Sequence, residues 1–365
     1  MFHMKVITAI SVLLFSLPTF AGWGFFGSDT VKDDEQIIFF PAEAALQDDK
    51  WNIYIHGWIF EPGSLAELGS LFRKTLGIDA DDVTEKNLFQ KRISWFLVDN
   101  ERGKQIKIKL GQQQFKLNKS VSNGHFFQRI TIPEKTMQSL LASQNSKTLI
   151  DFRAVLGDKD KRLFQGEIHR IPRHGLSVIS DIDDTIKISN VTDKKELLAN
   201  TFLRPFRAVP GMSALYQQWQ AEKSAVFHYV SASPWQLYPP LSSFMNSAGF
   251  PRGSFYMKLF SWKDSSFFKL FSDPVNYKID VIETILKRYP RRRFILVGDS
   301  GEKDPEVYGR MARKYRQQIK HILIRQVGNN NSGKRFDSAF KDLDKNLWQV
   351  FRYTGEIKAL SLDLQ

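Results

Sequence analysis

At 365 residues, 42% hydrophobic and 13% aromatic, the chain is long enough for two domains and too rich in core-forming side chains for wholesale disorder. A net charge of +13 favours anionic partners, whether phospholipid headgroups, lipopolysaccharide or nucleic acid, without choosing among them. The absence of cysteine excludes disulfides and thiol chemistry.

Lys5, the apolar stretch 6–17 and Thr19-Phe20-Ala21 follow the three-part plan of a secretory signal. The stretch is too short to span a bilayer comfortably. Residues 1–21 are therefore expected to be a cleaved signal peptide and the protein periplasmic or secreted. With no cysteine, no acylated-cysteine anchor is expected.

Residues 22–172 read as β-rich. Runs rich in Ile, Phe, Trp and Tyr at 37–40, 52–60, 105–110, 126–132 and 148–155 are separated by turn signals. Those signals are Gly111, Asn123-Gly124 and Gly157-Asp158. Alternation over 104–110 puts Ile106, Ile108 and Leu110 on one face. One helix is expected at 64–76, interrupting an antiparallel sandwich.

Ile171-Pro-Arg-His-Gly175 marks a boundary, and residues 173–365 change rhythm. Strand-like runs at 176–180, 225–230, 293–297 and 321–324 alternate with helix-like runs at 212–223, 235–248, 278–289 and 305–316. A final helix is expected at 337–351, after the polar linker 328–333. That alternation predicts an α/β unit, a parallel sheet with helices on both faces.

Two acidic clusters sit just past strand-like runs. The first is Ser180-Asp181-Ile-Asp183-Asp184-Thr185; the second is Gly298-Asp299-Ser-Gly301-Glu-Lys-Asp304. Parallel sheets bind ligands beyond the carboxyl ends of their strands, and buried carboxylates need a cation or a proton. Converging there, the clusters describe a Mg²⁺ site for phosphate chemistry. At an extended strand end Asp181 and Asp183 point the same way, while Asp184 faces away as a helix cap or surface acid. Gly298 allows close backbone approach. Ser231 ends the run 225–230, where its hydroxyl can bond a phosphoryl oxygen.

These residues carry a resemblance to the haloacid dehalogenase superfamily of aspartate-nucleophile phosphatases, from Leu176 to about Val327. Three segments more narrowly resemble the actin-patch phosphatidate phosphatase family. They are Val178-Ile-Ser-Asp-Ile-Asp-Asp-Thr-Ile-Lys187, Tyr229-Val-Ser-Ala-Ser-Pro-Trp-Gln236 and Gly298-Asp-Ser-Gly-Glu-Lys-Asp-Pro-Glu306. The β-rich region looks like the extra domain of that family's bacterial members. The resemblance implies a HAD-like Rossmannoid catalytic domain at 173–365, following a β-rich, sandwich-like domain. It implies Asp181 as nucleophile, Asp183 as acid/base, Thr185 completing the phosphatase pattern, and Mg²⁺ held by Asp181, Asp183, Asp299 and Asp304. It also implies a phosphate-holding lysine, for which Lys278 is favoured by its place before the Asp299 strand. Lys258 is the rival and otherwise a snorkelling residue beside Phe255, Tyr256 and Phe260.

The expected reaction is Mg²⁺-dependent hydrolysis of phosphatidate to diacylglycerol and phosphate. The segments 186–210 and 249–277 are modest caps, leaving access for a lipid headgroup. Phe260, Trp262, Phe267, Phe268 and Phe271 among Lys258, Lys263 and Lys269 suit peripheral contact with an anionic membrane, or else pack a cap. Two alternatives stand: a phosphatase of nucleic-acid ends or another phosphomonoester, and an envelope-binding module with a vestigial phosphatase. Intact Asp181, Asp183, Asp299 and Asp304 argue against the module. Nucleic acid is disfavoured because the basic run 287–293 precedes the Asp299 strand, placing it at the opposite sheet end as a solvated helix terminus. The histidines show no metal-ligand spacing and are expected to be structural. Oligomeric state is not legible.

Overall fold

The computed structural model describes residues 30–63, 82–260, 274–328 and 333–357. The signal, the helix expected at 64–76 and the residues 262–271 of the aromatic–lysine segment lie outside them. Among the described residues no helix is long and apolar enough to cross a membrane.

The first sheet comprises β1 (Gln36–Phe39), β2 (Ala42–Gln47), β3 (Lys50–Glu61), β4 (Asp99–Asn100), β5 (Lys107–Leu110), β6 (Gln113–Lys116), β7 (His125–Pro133), β8 (Leu149–Val155) and β9 (Gln165–Ile171). Its order is β1-β3-β2-β9-β8-β5-β6, with β4 and β7 also pairing β3. Two corrections follow. The strands form one continuous sheet rather than two stacked ones, and β2 pairs β9 in parallel, Ala42 opposite Ile168. The long β3 makes this possible, since β1 and β2 pair with different stretches of it. Inward residues from both ends of the sheet, including Ile53, Ile130, Ile108 and Phe152, share one core. Helix α2 (Glu134–Ser143) closes it with Met137, Leu140 and Leu141; α1 (Val83–Ile93) instead packs on the second unit.

The second sheet holds β10 (Leu176–Ser180), β11 (Val226–Pro234), β12 (Gly253–Lys258), β13 (Arg293–Asp299), β14 (Ile319–Arg325) and β15 (Trp348–Phe351). Every pair is parallel, in the order β12-β11-β10-β13-β14-β15. Central strand β10 reads Leu-Ser-Val-Ile-Ser and is buried throughout, as expected of a strand covered on both faces. Val178 and Val297 face one core with α3 (Lys194–Phe202), α4 (Met212–Lys223) and α5 (Tyr238–Ser247). Ile179 and Leu296 face the other, with α6 (Pro274–Arg288), α7 (Asp304–Lys314) and α8 (Gly333–Ala339). The helix expected at 337–351 is corrected: α8 ends at Ala339, and the chain returns as the short edge strand β15. Helix α3, inside the expected cap 186–210, is capped by Asp193, whose carboxylate accepts from Lys195 N and Glu196 N.

The cores cross the boundary at residue 172. Phe40, Trp58, Phe60, Phe89 and Phe96 share a cluster with Val178 and Phe202, so the β-rich region completes the core of the parallel-sheet unit. Buried Glu43 of β2 joins the two: it meets His228 at 2.7 Å, Tyr256 Oη at 2.7 Å, Arg288 Nη1 at 2.7 Å and Tyr289 Oη at 3.0 Å. Burial alone would raise its pKa, but His228 and Arg288 outweigh burial and hold it far below the carboxylate range. Arg292, also buried, donates to Ser177 Oγ at 2.7 Å and to the carbonyls of Pro172 and His174. The solvated cluster expected at 287–293 is thus corrected at Arg288 and Arg292, which brace the domain junction.

Candidate active site

The chain leaves β10 toward β11 and β12, then returns to place β13 on the other side of β10. A crevice opens at such a switch point beyond the carboxyl ends of the strands. Asp181 follows β10 and Asp299 ends β13, so both acids meet there. Asp304 comes from the first turn of α7, and Gly298 makes the approach possible. A Cβ at Gly298 would lie 2.3 Å from Asp304 Oδ2.

Asp181, Asp299 and Asp304 can each offer a carboxylate oxygen, all within 4.8 Å of one another. Lys278, from the first turns of α6 and only 2% exposed, inserts its ammonium among them. It donates to Asp181 Oδ1 at 2.8 Å, Asp304 Oδ1 at 2.6 Å and Glu302 Oε2 at 2.8 Å. Thr185 Oγ1 donates to Asp181 Oδ2 at 3.1 Å. Lys258 lies elsewhere, its ammonium 5.8 Å from the Tyr277 ring centre.

Asp183 is held by a different set of partners. Lys187 pairs with its Oδ1 at 2.8 Å, and Ser189 Oγ donates to that oxygen at 2.6 Å. Ser231 and Ser233 donate to its Oδ2 at 3.3 and 3.1 Å. Asp184 is neither a helix cap nor a surface acid. It is buried, with φ of 55°, and its carboxylate accepts from the backbone N–H groups of Ser189, Asn190 and Val191. It thereby fixes the loop that carries Ser189.

Lys187, Ser189, Ser233 and Glu302 were missed as site residues. Ser233 had a signal, because the same two-residue alternation that pairs Asp181 with Asp183 places it beside Ser231. Lys187 and Glu302 fell inside the quoted motifs, but nothing local showed that they would turn inward.

The electrostatics divide the acids. Burial pushes the Asp181 carboxyl well up; Lys278 opposes that, while Asp304 and Glu302 add to it. Asp299 is raised by burial and then by Asp304 and Asp181, and Glu302 also rises through burial. Burial would likewise raise Asp183, but the Lys187 charge and bonds from Lys187, Ser189 and Ser233 hold it below the usual range. Lys278 is kept protonated: burial opposes its charge, and Asp181, Asp304 and Glu302 overcome burial.

One oxygen stays uncompensated, since buried Asp299 Oδ2 has no hydrogen-bond partner. Asp299 Oδ1 accepts from Gly301 N at 2.5 Å and Glu302 N at 3.1 Å, which leaves Oδ2 directed away from the loop. Hard carboxylate oxygens in acid excess, one of them orphaned, fit a small divalent cation.

Residues 176–326 match the family described as phosphatidate phosphatase APP1, catalytic domain. Phosphatidate phosphatase APP1 of Saccharomyces cerevisiae is 37% identical over 162 residues, covering 44% of this chain and 27% of that protein. An uncharacterized protein of Schizosaccharomyces pombe is 31% identical over 174 residues, 47% of this chain and 28% of that one. The match thus spans little more than a quarter of the length of these curated relatives. A solved carbohydrate esterase aligns over 81% of this chain and 88% of that one, at 9% identity and a TM-score of 0.20, too low to bear on the fold. The segment that carries Asp181, Asp183, Lys278, Asp299 and Asp304 is therefore similar to the phosphatidate phosphatase APP1 catalytic domain.

Proposed function

We propose that the protein is a phosphoric monoester hydrolase of the haloacid dehalogenase type, acting on phosphatidate through an aspartyl-phosphate. The convergence of Asp181, Asp299, Asp304 and Lys278 at the switch point, within the family-matched segment, carries this reading. Asp181 attacks phosphorus, forming the acyl phosphate as the bond to the leaving alkoxide breaks. Asp183 protonates that alkoxide and later takes a proton from the water that attacks the phosphoenzyme.

Asp183 rests ionised beside Lys187 and must be protonated to act first as an acid. A dianionic phosphate brought alongside raises its proton affinity, which favours the loaded form. Thr185 and Lys278 orient the Asp181 carboxylate, and Lys278 together with Ser231 suits the phosphoryl oxygens. Mg²⁺, held by Asp181, Asp299, Asp304 and the Asp183 carbonyl, would supply charge neutralisation when bound. The apolar stretch at residues 6–17 supports export, and processing after Ala21 in a periplasmic fraction would test it.

A substrate panel tests the reading: vesicle-borne phosphatidate, p-nitrophenyl phosphate and a 5′-phosphorylated oligonucleotide, each with Mg²⁺ or EDTA. Phosphatidate should be preferred and EDTA should abolish turnover. Preference for the oligonucleotide, or full activity in EDTA, would refute it.

A further inference from the structure

A sizeable cavity stands apart from the carboxylate site. It measures about 730 Å³ and lies at the domain junction, where the β12 edge and α6 of one unit face β3 and β7 of the other. Tyr277, Val281 and Arg288 line its α6 wall. Arg288 lies eleven positions after Tyr277, so the wall is about 16 Å long at roughly 1.5 Å per residue. The cavity is therefore a slot with two unlike ends.

Its inner end is polar. Arg288 is paired with Glu43 at 2.7 Å and lies 3.8 Å above the Tyr54 ring, and exposed Arg129, opposite Tyr54 on β7, also lines the cavity. Its outer end lies on the catalytic side. Lys258 ends β12 and Leu259 follows it, and Lys258 pairs in register with Pro234, three residues beyond Ser231. Tyr277 immediately precedes Lys278. The rim also collects exposed apolar surface, with Phe127 47% and Leu259 49% exposed. Of the six large hydrophobics that stand exposed among the described residues, these two share one rim. Clustered exposure of this kind marks a binding surface, whereas scattered exposure does not.

We infer that this slot receives one long acyl or alkyl chain of the substrate. The inference rests on the phosphatase reading above, which puts the phosphate at Lys278 and leaves the tail to be housed. An apolar slot whose wall runs about 16 Å from Tyr277, next to Lys278, matches an extended hydrocarbon chain in polarity and length. Headgroup charge meets Lys278, and methylenes meet Phe127, Leu259 and Val281. The β-rich region would then contribute directly to substrate choice, because half of the slot is its own surface.

The test compares butyl, octyl and dodecyl phosphate, below their micellar concentrations, with the full chain. The inference expects kcat/KM to rise roughly fourfold per added methylene until the slot is filled. It also expects the fluorescent fatty acid cis-parinarate to bind and to be displaced by dodecanoate. Val281→Trp, which fills the wall, should flatten the chain-length series and weaken parinarate at least tenfold. Leu259→Trp at the exposed rim serves if Val281→Trp does not fold. Normal turnover with no chain-length dependence would overturn the slot and leave the phosphatase reading standing. Parinarate binding that Val281→Trp abolishes, with no alkyl phosphate turned over, would keep the slot and sink the phosphatase. Failure of parinarate to bind the wild type would overturn the slot by itself.

Discussion

Two of the buried acidic centres among the described residues are built on opposite principles. Around Glu43 a single carboxylate is met by His228, Tyr256, Arg288 and Tyr289, and its pKa is driven down. Around Asp181 the acids outnumber the cations, the pKa values of Asp181, Asp299 and Glu302 are driven up, and one oxygen of Asp299 has no partner. Burial is equal in the two places, so burial does not distinguish them. Compensation does. A satisfied acid joins domains, while acid in excess is a stored demand for positive charge. That demand is the physical signature of a site, and it costs stability that the rest of the fold must supply.

The difference can be broken most forcefully at the nucleophile. Asp181→Asn keeps the shape and removes the attacking charge, so turnover should fall by at least about ten-thousand-fold. A hydroxylamine-labile phosphoprotein should form in the wild type and vanish in the variant. Retained turnover in Asp181→Asn would remove Asp181 from the chemistry.

At the joint, Glu43→Ala leaves Arg288 buried without its counter-charge. The cost should be about 3–5 kcal/mol in urea unfolding, because removing one partner of a buried pair strands the other. A loss below about 1 kcal/mol would mean that the junction is hydrated and that Glu43 is no hub.

Asp299→Asn should act in two directions at once. It removes a buried charge from an acid-rich cluster, so the metal-free protein should melt at a higher temperature than the wild type at neutral pH. The sign follows from a folded-state pKa above the unfolded value, which disfavours folding once the group must ionise. Calorimetry should show Mg²⁺ affinity falling at least about tenfold. A variant that is both less stable and unaltered in Mg²⁺ binding would make Asp299 structural, like Glu43.

Much of this was legible in the sequence where the determinants are local. The run 176–180 reads as a buried parallel strand, and Asp181, Asp183, Asp299 and Asp304 stand at strand ends or just beyond them. What escaped depends on partners far along the chain. Arg288 reads as a solvated helix terminus until β2 brings Glu43 from 245 residues away. The helix expected through residues 337–351 failed because β15 is held by pairing with β14, Val350 opposite Ile324, rather than by its own pattern. The continuous first sheet turns on the length of β3, which periodicity cannot reveal. Ser233 was the exception, present in the local alternation and overlooked.

The subtlest effect concerns the histidines beside the slot. His56 and His125 contact each other at 2.9 Å between β3 and β7, with Phe40, Phe127 and Trp235 packed around His56. Burial pushes both pKa values down, His125 to about 3 and His56 further lowered by His125. A folded pKa below the unfolded one makes the stability contribution complete above pH 6.5 and progressively lost as pH falls toward the folded value. The Glu43 contribution, from a pKa depressed below 4.5, starts to fade only under that pH. Between these limits the histidines should therefore set the acid sensitivity of the joint, each contributing a slope of up to about 1.4 kcal/mol per pH unit. His125→Asn should remove one such share, so its stability should vary less steeply than wild type from pH 6.5 to 4.5 in urea titrations. Equal slopes would mean that the imidazoles reach water in solution and that the interior of the junction is wetter than its packing implies.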